Sequence, residues 1–119
     1  MLAVGEYLMG AVDDRLCRMM TGIAGGLGGS HEEVCGALNA GALLIGALHG
    51  RTRPDEPNEP CYGLATRYRA RFLEEWGATR CADLRAARQD DDGTIRCGPL
   101  VCRAATMLLE VLDSPDQGG

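Results

Sequence analysis

The side chains in this chain that are best suited to chemistry are its six cysteines: Cys17, Cys35, Cys61, Cys81, Cys97 and Cys102. A cysteine thiolate is a nucleophile, a partner in disulfide exchange and a soft metal ligand. The spacings contain no CxxC pair, no CxxCH haem attachment site and no Cys/His finger pattern. The fold must therefore assemble any joint site, and we predict metal binding or redox chemistry.

Three of these cysteines fall close to predicted helix N-termini: Cys35, Cys81 and Cys97. The helix dipole and the free backbone N–H groups at such a position stabilise a thiolate and lower the pKa of a cysteine. We predict that these three are metal ligands, or redox thiols if no metal is bound. Cys102 falls inside the last predicted helix and is interpreted as a small buried hydrophobe. Cys17 and Cys61 are intermediate, and either can approach the cluster through the fold.

Two further features lie close to Cys35 in the sequence. His31 precedes it by one predicted helical turn and is either a ligand or proton acceptor on the same face, or simply solvated. The glycine-rich segment 22–29 has no Gly-Lys-Ser/Thr ending, which argues against a phosphate loop. Its glycines permit close backbone approach to a helix or a bound cluster. We predict these cofactor-binding glycines: Gly25, Gly26, Gly28 and Gly36.

Helices are the elements that must position these residues. Helical spacing of apolar residues predicts one or two helices that end before Gly22. Ser30 and Glu33 form a predicted capping box, which starts a helix near His31 that ends at Gly50. Three more helices are predicted. The first covers residues 62–76 and ends at Gly77, the second extends from a Thr79 cap to about residue 88, and the third covers residues 99–112.

No segment shows the period-two alternation of a β-strand. We therefore predict an all-α fold, a compact bundle of about five helices in a single domain over residues 1–113, with a disordered tail over 114–119. The aromatic residues Tyr68, Phe72 and Trp76 recur every fourth residue and predict a buried stripe. The many small residues of segment 35–50 predict close helix packing, either within the chain or across a homodimer.

Charge and hydropathy restrict the partners and the location. All basic residues are arginine and the net charge is −5, which argues against nucleic acid as a partner. No apolar run is long enough to span a membrane. Glu6 stands where a secretory signal would carry a basic residue, so we expect a cytoplasmic protein. A chain of 119 residues can bury an adequate core without disulfides, which leaves the cysteines free for chemistry.

The order of the motifs resembles the C_GCAxxG_C_C family of redox-active proteins. The resemblance extends over residues 22–112 and rests on the glycine-rich loop and three motifs: Cys35-Gly36-Ala37, Gly77-Ala-Thr-Arg-Cys81-Ala-Asp-Leu84 and Cys97-Gly-Pro-Leu-Val101. It implies a small prokaryotic helical protein that is built around four family cysteines and is related to a domain of split-Soret cytochrome c.

The resemblance assigns three of the four family cysteines to Cys35, Cys81 and Cys97. The first family cysteine has no counterpart in the segment 1–4, so the resemblance leaves Cys17 as its expected substitute. Ala40 occupies the position of the family's second motif glycine, and Gly41 follows it. An iron–sulfur cluster held by Cys35, Cys81, Cys97 and Cys17 is the cofactor that we expect.

Three functional hypotheses follow for this chain. The first is electron transfer through an iron–sulfur cluster or another thiolate-ligated metal centre, with a redox partner protein. The second is a thiol/disulfide redox protein without metal. The third is a non-catalytic helical interaction or dimerisation module in which Met9, Met19 and Met20 contribute to the seam.

Overall fold

Six α-helices make up the fold over residues 1–113. The structure is a computed structural model that describes residues 1–113. The helices are α1 (Leu2–Met9), α2 (Asp14–Ile23), α3 (Gly36–His49), α4 (Cys61–Trp76), α5 (Cys81–Ala86) and α6 (Gly98–Asp113). In the described part of the chain, pairing of strand type is limited to two isolated bridges, Val34 with Arg80 and Gln89 with Ile95. The prediction of an all-α fold is confirmed, whereas the predicted tail 114–119 lies outside the described residues.

The core lies between α3, α4 and α6, the helices that make most of the contacts between elements. Its fully buried large side chains come from these three helices: Leu44, Ile45, Leu64, Tyr68, Phe72, Met107 and Leu108. The predicted aromatic stripe is confirmed on α4. The ring centroids of Tyr68 and Phe72 are 6.4 Å apart, and those of Phe72 and Trp76 are 4.5 Å apart.

Small residues of α3 allow the close contact between α3 and α4. The ring of Tyr68 lies against Gly41 so closely that a Cβ atom at position 41 would overlap it. The hydroxyl of Tyr68 donates a hydrogen bond to the carbonyl of Ala37 at 3.1 Å, also on α3. Gly41 therefore serves helix packing within the chain, which is one of the two alternatives that the sequence left open.

The N-terminal region divides into two helices. Gly10, at a φ of 82°, ends α1, and the side chain of Asp13 caps α2 by accepting the N–H of Leu16 at 2.8 Å. The prediction that helical structure ends before Gly22 is wrong, because α2 continues to Ile23. A single glycine in the last turn costs only about 1 kcal/mol relative to alanine, which the remaining contacts of α2 offset.

The start of α3 also differs from its prediction. The helix begins at Gly36 and not near His31, so the predicted capping box is wrong. The hydroxyl of Ser30 accepts the N–H of Glu32 at 3.2 Å and donates to the carbonyl of Gly26 at 2.8 Å. His31 has a φ of 64°, in the left-handed region, which is incompatible with a right-handed helix at that residue. The loop 31–34 instead pairs with the start of α5.

No helix among residues 1–113 combines the length and the apolar character that crossing a membrane requires.

Candidate functional site

The structure places three cysteines at the starts of three different helices. Cys35 is the N-cap of α3, and its carbonyl accepts the N–H of Asn39 at 3.0 Å. Cys81 is the first residue of α5. Cys97 directly precedes α6, and its carbonyl accepts the N–H of Val101 at 3.0 Å. Their predicted placement at helix N-termini is therefore confirmed.

A short antiparallel ladder fixes Cys35 relative to Cys81. The N–H of Cys35 donates to the carbonyl of Thr79 at 2.8 Å, and the N–H of Cys81 donates to the carbonyl of Glu33 at 2.8 Å. The bridge pair Val34 and Arg80 lies between these two bonds. Cys35 and Cys81 are thus on the same side of the ladder, as diagonal neighbours. Thr79 does not cap α5 as predicted, because Arg80 is its N-cap.

The three cysteines line one open cavity of about 380 Å³. The wall is otherwise mostly apolar and comes from α1, α2, α3, α5 and α6. Its lining residues are Met1, Leu2, Met20, Ala24, Gly25, Cys35, Gly36, Ala37, Ala40, Cys81, Arg85, Cys97 and Val101. We call this space the cysteine cavity. The fold therefore brings together three predicted site residues that are distant in the sequence.

Burial and neighbouring thiols raise the pKa of Cys81. Cys81 is only 7% exposed, and desolvation is the main cause of the shift. The negative charges of Cys35 and, more weakly, Cys97 add to it, while the guanidinium of Arg85 acts in the opposite direction. For Cys81, the prediction of a lowered pKa is wrong. The start of the short helix α5 and the charge of Arg85 do not compensate for the loss of solvent.

The sequence analysis missed Arg85 as a site residue, and it missed the contact that Tyr68, a core residue outside the cavity lining, makes with α3. Arg85 lines the cysteine cavity one helical turn after Cys81, and this spacing on α5 was the available signal. Tyr68 is fully buried beneath the first turns of α3. Burial, and secondarily the charge of Cys35, raise the pKa of the Tyr68 hydroxyl, so it stays protonated as a hydrogen-bond donor.

The predicted cofactor-binding glycines have different surroundings. Gly25 and Gly36 line the cysteine cavity. Gly26 does not; a Cβ atom there would stand 2.6 Å from the Cβ of Cys81 and 2.8 Å from the Cα of His31. At Gly28, such an atom has no neighbour within 4 Å in the described part of the chain. The close backbone approach that we predicted is thus found at Gly26, with Cys81 as the neighbour.

The remaining predicted site residues lie outside the cavity lining. Cys17 is half-buried on α2, about one turn before Met20 and on the same helical face as that lining residue. Cys61 is the first residue of α4 and packs against the core. Cys102 is exposed, so its interpretation as a buried hydrophobe is wrong. His31 is not on a helix, so its predicted shared helical face with Cys35 does not exist.

The thiol cluster is not arranged as a finished metal site. Within residues 1–113, no group of three or more His, Cys, Asp or Glu side chains is close enough together to hold a metal ion. All six cysteines are free thiols. The cavity therefore holds three thiols that share one space without direct bonds between them.

Comparison with known proteins yields one match. The family model described as "Putative redox-active protein (C_GCAxxG_C_C)" matches residues 1–111. No curated protein and no solved structure is similar enough to this chain to count as a match.

Proposed function

Because this chain belongs to the C_GCAxxG_C_C family, we propose that it is a redox protein that works through the thiols of its cysteine cavity. In its leading form the proposal is electron transfer by an iron–sulfur cluster or another thiolate-ligated metal centre. Cys35, Cys81 and Cys97 are the proposed ligands. The observation that supports this assignment is that these three thiols, from three helix starts, line one cavity.

The donor set suits a soft metal centre. Thiolates are the ligands of iron–sulfur clusters, and the raised pKa of Cys81 shows the cost of placing thiolates together in a poorly solvated wall. A cation between the thiols removes that cost by stabilising all three negative charges. When bound, such a centre supplies one-electron transfer at a potential that burial and backbone hydrogen bonds adjust.

A fourth cysteine ligand must come from outside the present lining. Cys17 is the proposed fourth ligand, because it lies one turn before Met20 on the same face of α2, and Met20 lines the cavity. Cys35, Cys81 and Cys97 do not form a compact metal-binding group within residues 1–113, so these thiols and that of Cys17 would have to come closer together to hold a metal centre. Electrons would then pass to a redox partner protein at the open side of the cavity, where Leu2 is exposed.

The first experiment measures iron, acid-labile sulfide and the visible spectrum of protein purified without oxygen and without chelator. We expect iron and sulfide close to stoichiometry, and their loss in Cys35→Ser, Cys81→Ser and Cys97→Ser. Cys102→Ser is the matched control, because Cys102 is exposed on α6, outside the cavity lining. Metal-free, colourless protein would refute the metal form of the proposal, and equal iron loss in the control would refute the ligand assignment.

A thiol/disulfide protein without metal is the second candidate. The ladder that holds Cys35 and Cys81 as diagonal neighbours favours it, as does the lack of a compact metal-binding group among residues 1–113. Oxidation of these two thiols to a disulfide releases two electrons and two protons, which an oxidising partner protein accepts. Thiol counts and peptide mapping after oxidation and reduction test it. We expect one reversible Cys35–Cys81 disulfide, and a thiol count that does not change would exclude this candidate.

A further inference from the structure

A second open groove, of about 360 Å³, shares no lining residue with the cysteine cavity. It lies between the end of α4, the loop after α5 and the first turns of α6. Its lining residues are Glu75, Trp76, Arg88, Arg96, Pro99, Leu100 and Arg103. We call it the arginine groove. Its size lies in the range of small-molecule sites, about 300–1,000 Å³.

Three arginines line this groove in a chain whose net charge is −5. Such a concentration of positive charge is contrary to the charge balance of the chain. Carboxylates hold two of the three guanidinium groups in place. Arg96 pairs with Asp90 at 2.8 Å, and Arg103 pairs with Glu75 at 3.4 Å and with Glu110 at 3.3 Å. Of the described residues that line the groove, Glu75 is the acidic one.

Arg88 differs from the other two arginines. Among residues 1–113, its side chain takes part in no hydrogen bond or ion pair, and it is half-buried. Its five N–H donors are therefore available to a ligand. Arginine is suited to this role because its planar guanidinium makes two parallel hydrogen bonds to a phosphate or carboxylate group.

Trp76 adds an aromatic surface to the same groove. One side of its ring contacts Phe72 in the core, with the ring centroids 4.5 Å apart, and the residue is half-buried. An indole at the wall of a groove stacks favourably against a flat ring. The lining thus combines a binding group for an oxyanion with a binding surface for an aromatic ring.

We propose that the arginine groove binds a small phosphorylated ring compound of the nucleoside phosphate class. Its phosphate group lies between Arg88, Arg96 and Arg103, and its ring lies against Trp76. This binding is independent of whether the cysteines hold a metal, since the two sites share no residue. The arginine groove is nevertheless close to the proposed redox site in the sequence, because Pro99 and Leu100 follow Cys97 in the first turn of α6.

The single tryptophan of the chain is a built-in reporter for this test. The full-length protein is titrated with AMP, with adenosine, and with sodium chloride at matched ionic strength. Trp76 fluorescence is followed with excitation near 295 nm, and calorimetry gives an independent measure of binding. We expect a saturable change with AMP, and neither adenosine nor sodium chloride should reproduce it.

Two arginine variants provide the matched comparison. Arg88→Gln should weaken AMP binding by about tenfold or more, because a charge-assisted contact is lost. Arg18→Gln has the same net charge, but Arg18 is exposed on α2, outside the groove lining, and should bind like the wild type. Loss of the Arg88 side chain removes no hydrogen bond to any residue of the described range 1–113, so Arg88→Gln should fold normally, which circular dichroism checks.

Three results would overturn the proposal. The first is the absence of a saturable response to AMP. The second is a response to adenosine or sodium chloride as large as that to AMP, which would show that the phosphate is not recognised. The third is equal AMP affinity in folded Arg88→Gln and Arg18→Gln, which would show that Arg88 contributes nothing beyond net charge.

Discussion

Gly26 lies so close to Cys81 that a Cβ atom at position 26 would stand 2.6 Å from the Cβ of Cys81. The glycine-rich loop between α2 and α3 therefore forms part of the support of a site thiol. Its backbone is also tied to the 31–34 segment, because the N–H of Glu33 donates to the carbonyl of Gly26 at 3.1 Å. Displacing Gly26 would shift Cys81 and the ladder that aligns it with Cys35.

Gly26→Ala should destabilise the protein more than Gly28→Ala. Both glycines have positive φ angles, 71° and 59°, so both variants carry backbone strain. Only at position 26 does the new methyl group collide with Cys81 and His31. We expect an additional loss of about 1–3 kcal/mol in the free energy of unfolding. Urea denaturation of the two variants measures it, and equal midpoints would contradict this view of the loop.

Two glycines of α3 should respond to alanine in opposite directions. Gly41→Ala places a methyl group within the ring of Tyr68 and should destabilise the protein by about 1–3 kcal/mol. The methyl group of Gly46→Ala meets no atom of residues 1–113 within 4 Å, and this variant should stabilise the protein by about 0.5–1 kcal/mol through higher helix propensity. Thermal unfolding of both variants tests these two opposite predictions. A stable Gly41→Ala would show that α3 and α4 pack less closely than in this structure.

Removing Cys35 should make Cys81 a stronger acid. The negative charge of Cys35 contributes to the raised pKa of Cys81, so Cys35→Ser should lower that pKa, although burial keeps it raised. The measurement is the pH profile of Cys81 alkylation in metal-free protein, resolved by peptide mapping. Cys102→Ser is the control, because Cys102 is exposed outside the cavity. An unchanged profile in Cys35→Ser would show that the two thiols do not interact.

The raised pKa of Cys81 also predicts how stability depends on pH. Below the ordinary thiol pKa of 9.0, the thiol is protonated in both the folded and the unfolded chain, and its contribution to the free energy of unfolding is fully present. As the pH rises towards the higher folded pKa, only the unfolded chain loses the proton, so the free energy of unfolding falls. Urea midpoints between about pH 8 and pH 10 measure this. The fall of the urea midpoint with pH should be smaller in Cys81→Ala than in the wild type. Identical slopes of midpoint against pH in the two proteins would contradict this prediction.

Arg85 should promote the reactivity of Cys81. Its positive charge lowers the pKa of that thiol, against the effects of burial and of the other cysteines. Arg85→Gln should therefore slow alkylation of Cys81 at about pH 8. Arg18→Gln carries the same change in net charge on α2 and should react like the wild type. Equal rates in the two variants would show that the charge of Arg85 does not reach the thiol.

Residue types and their periodicity were enough to predict the helical class. The spacing of Tyr68, Phe72 and Trp76 predicted the buried face of α4, because every fourth residue of a helix lies on one side. The positions of Cys35, Cys81 and Cys97 at helix starts were also predicted from local signals. These predictions depend on interactions between residues that are close in the sequence.

Tertiary structure decided the start of α3 and the properties of the cluster. Ser30 and Glu33 have the pattern of a capping box, but the carbonyls of His31 and Glu33 accept hydrogen bonds from Ala82 and Cys81 instead. No local signal identifies so distant a partner. The pKa of Cys81 depends likewise on burial by other elements and on the charges of Cys35 and Cys97, which are distant in the sequence. The sequence by itself determined the helical class and that Cys35, Cys81 and Cys97 lie close to helix N-termini, because these depend on neighbours in the chain, whereas only the packing of the helices decided where α3 begins, which thiols share a cavity and how acidic Cys81 is.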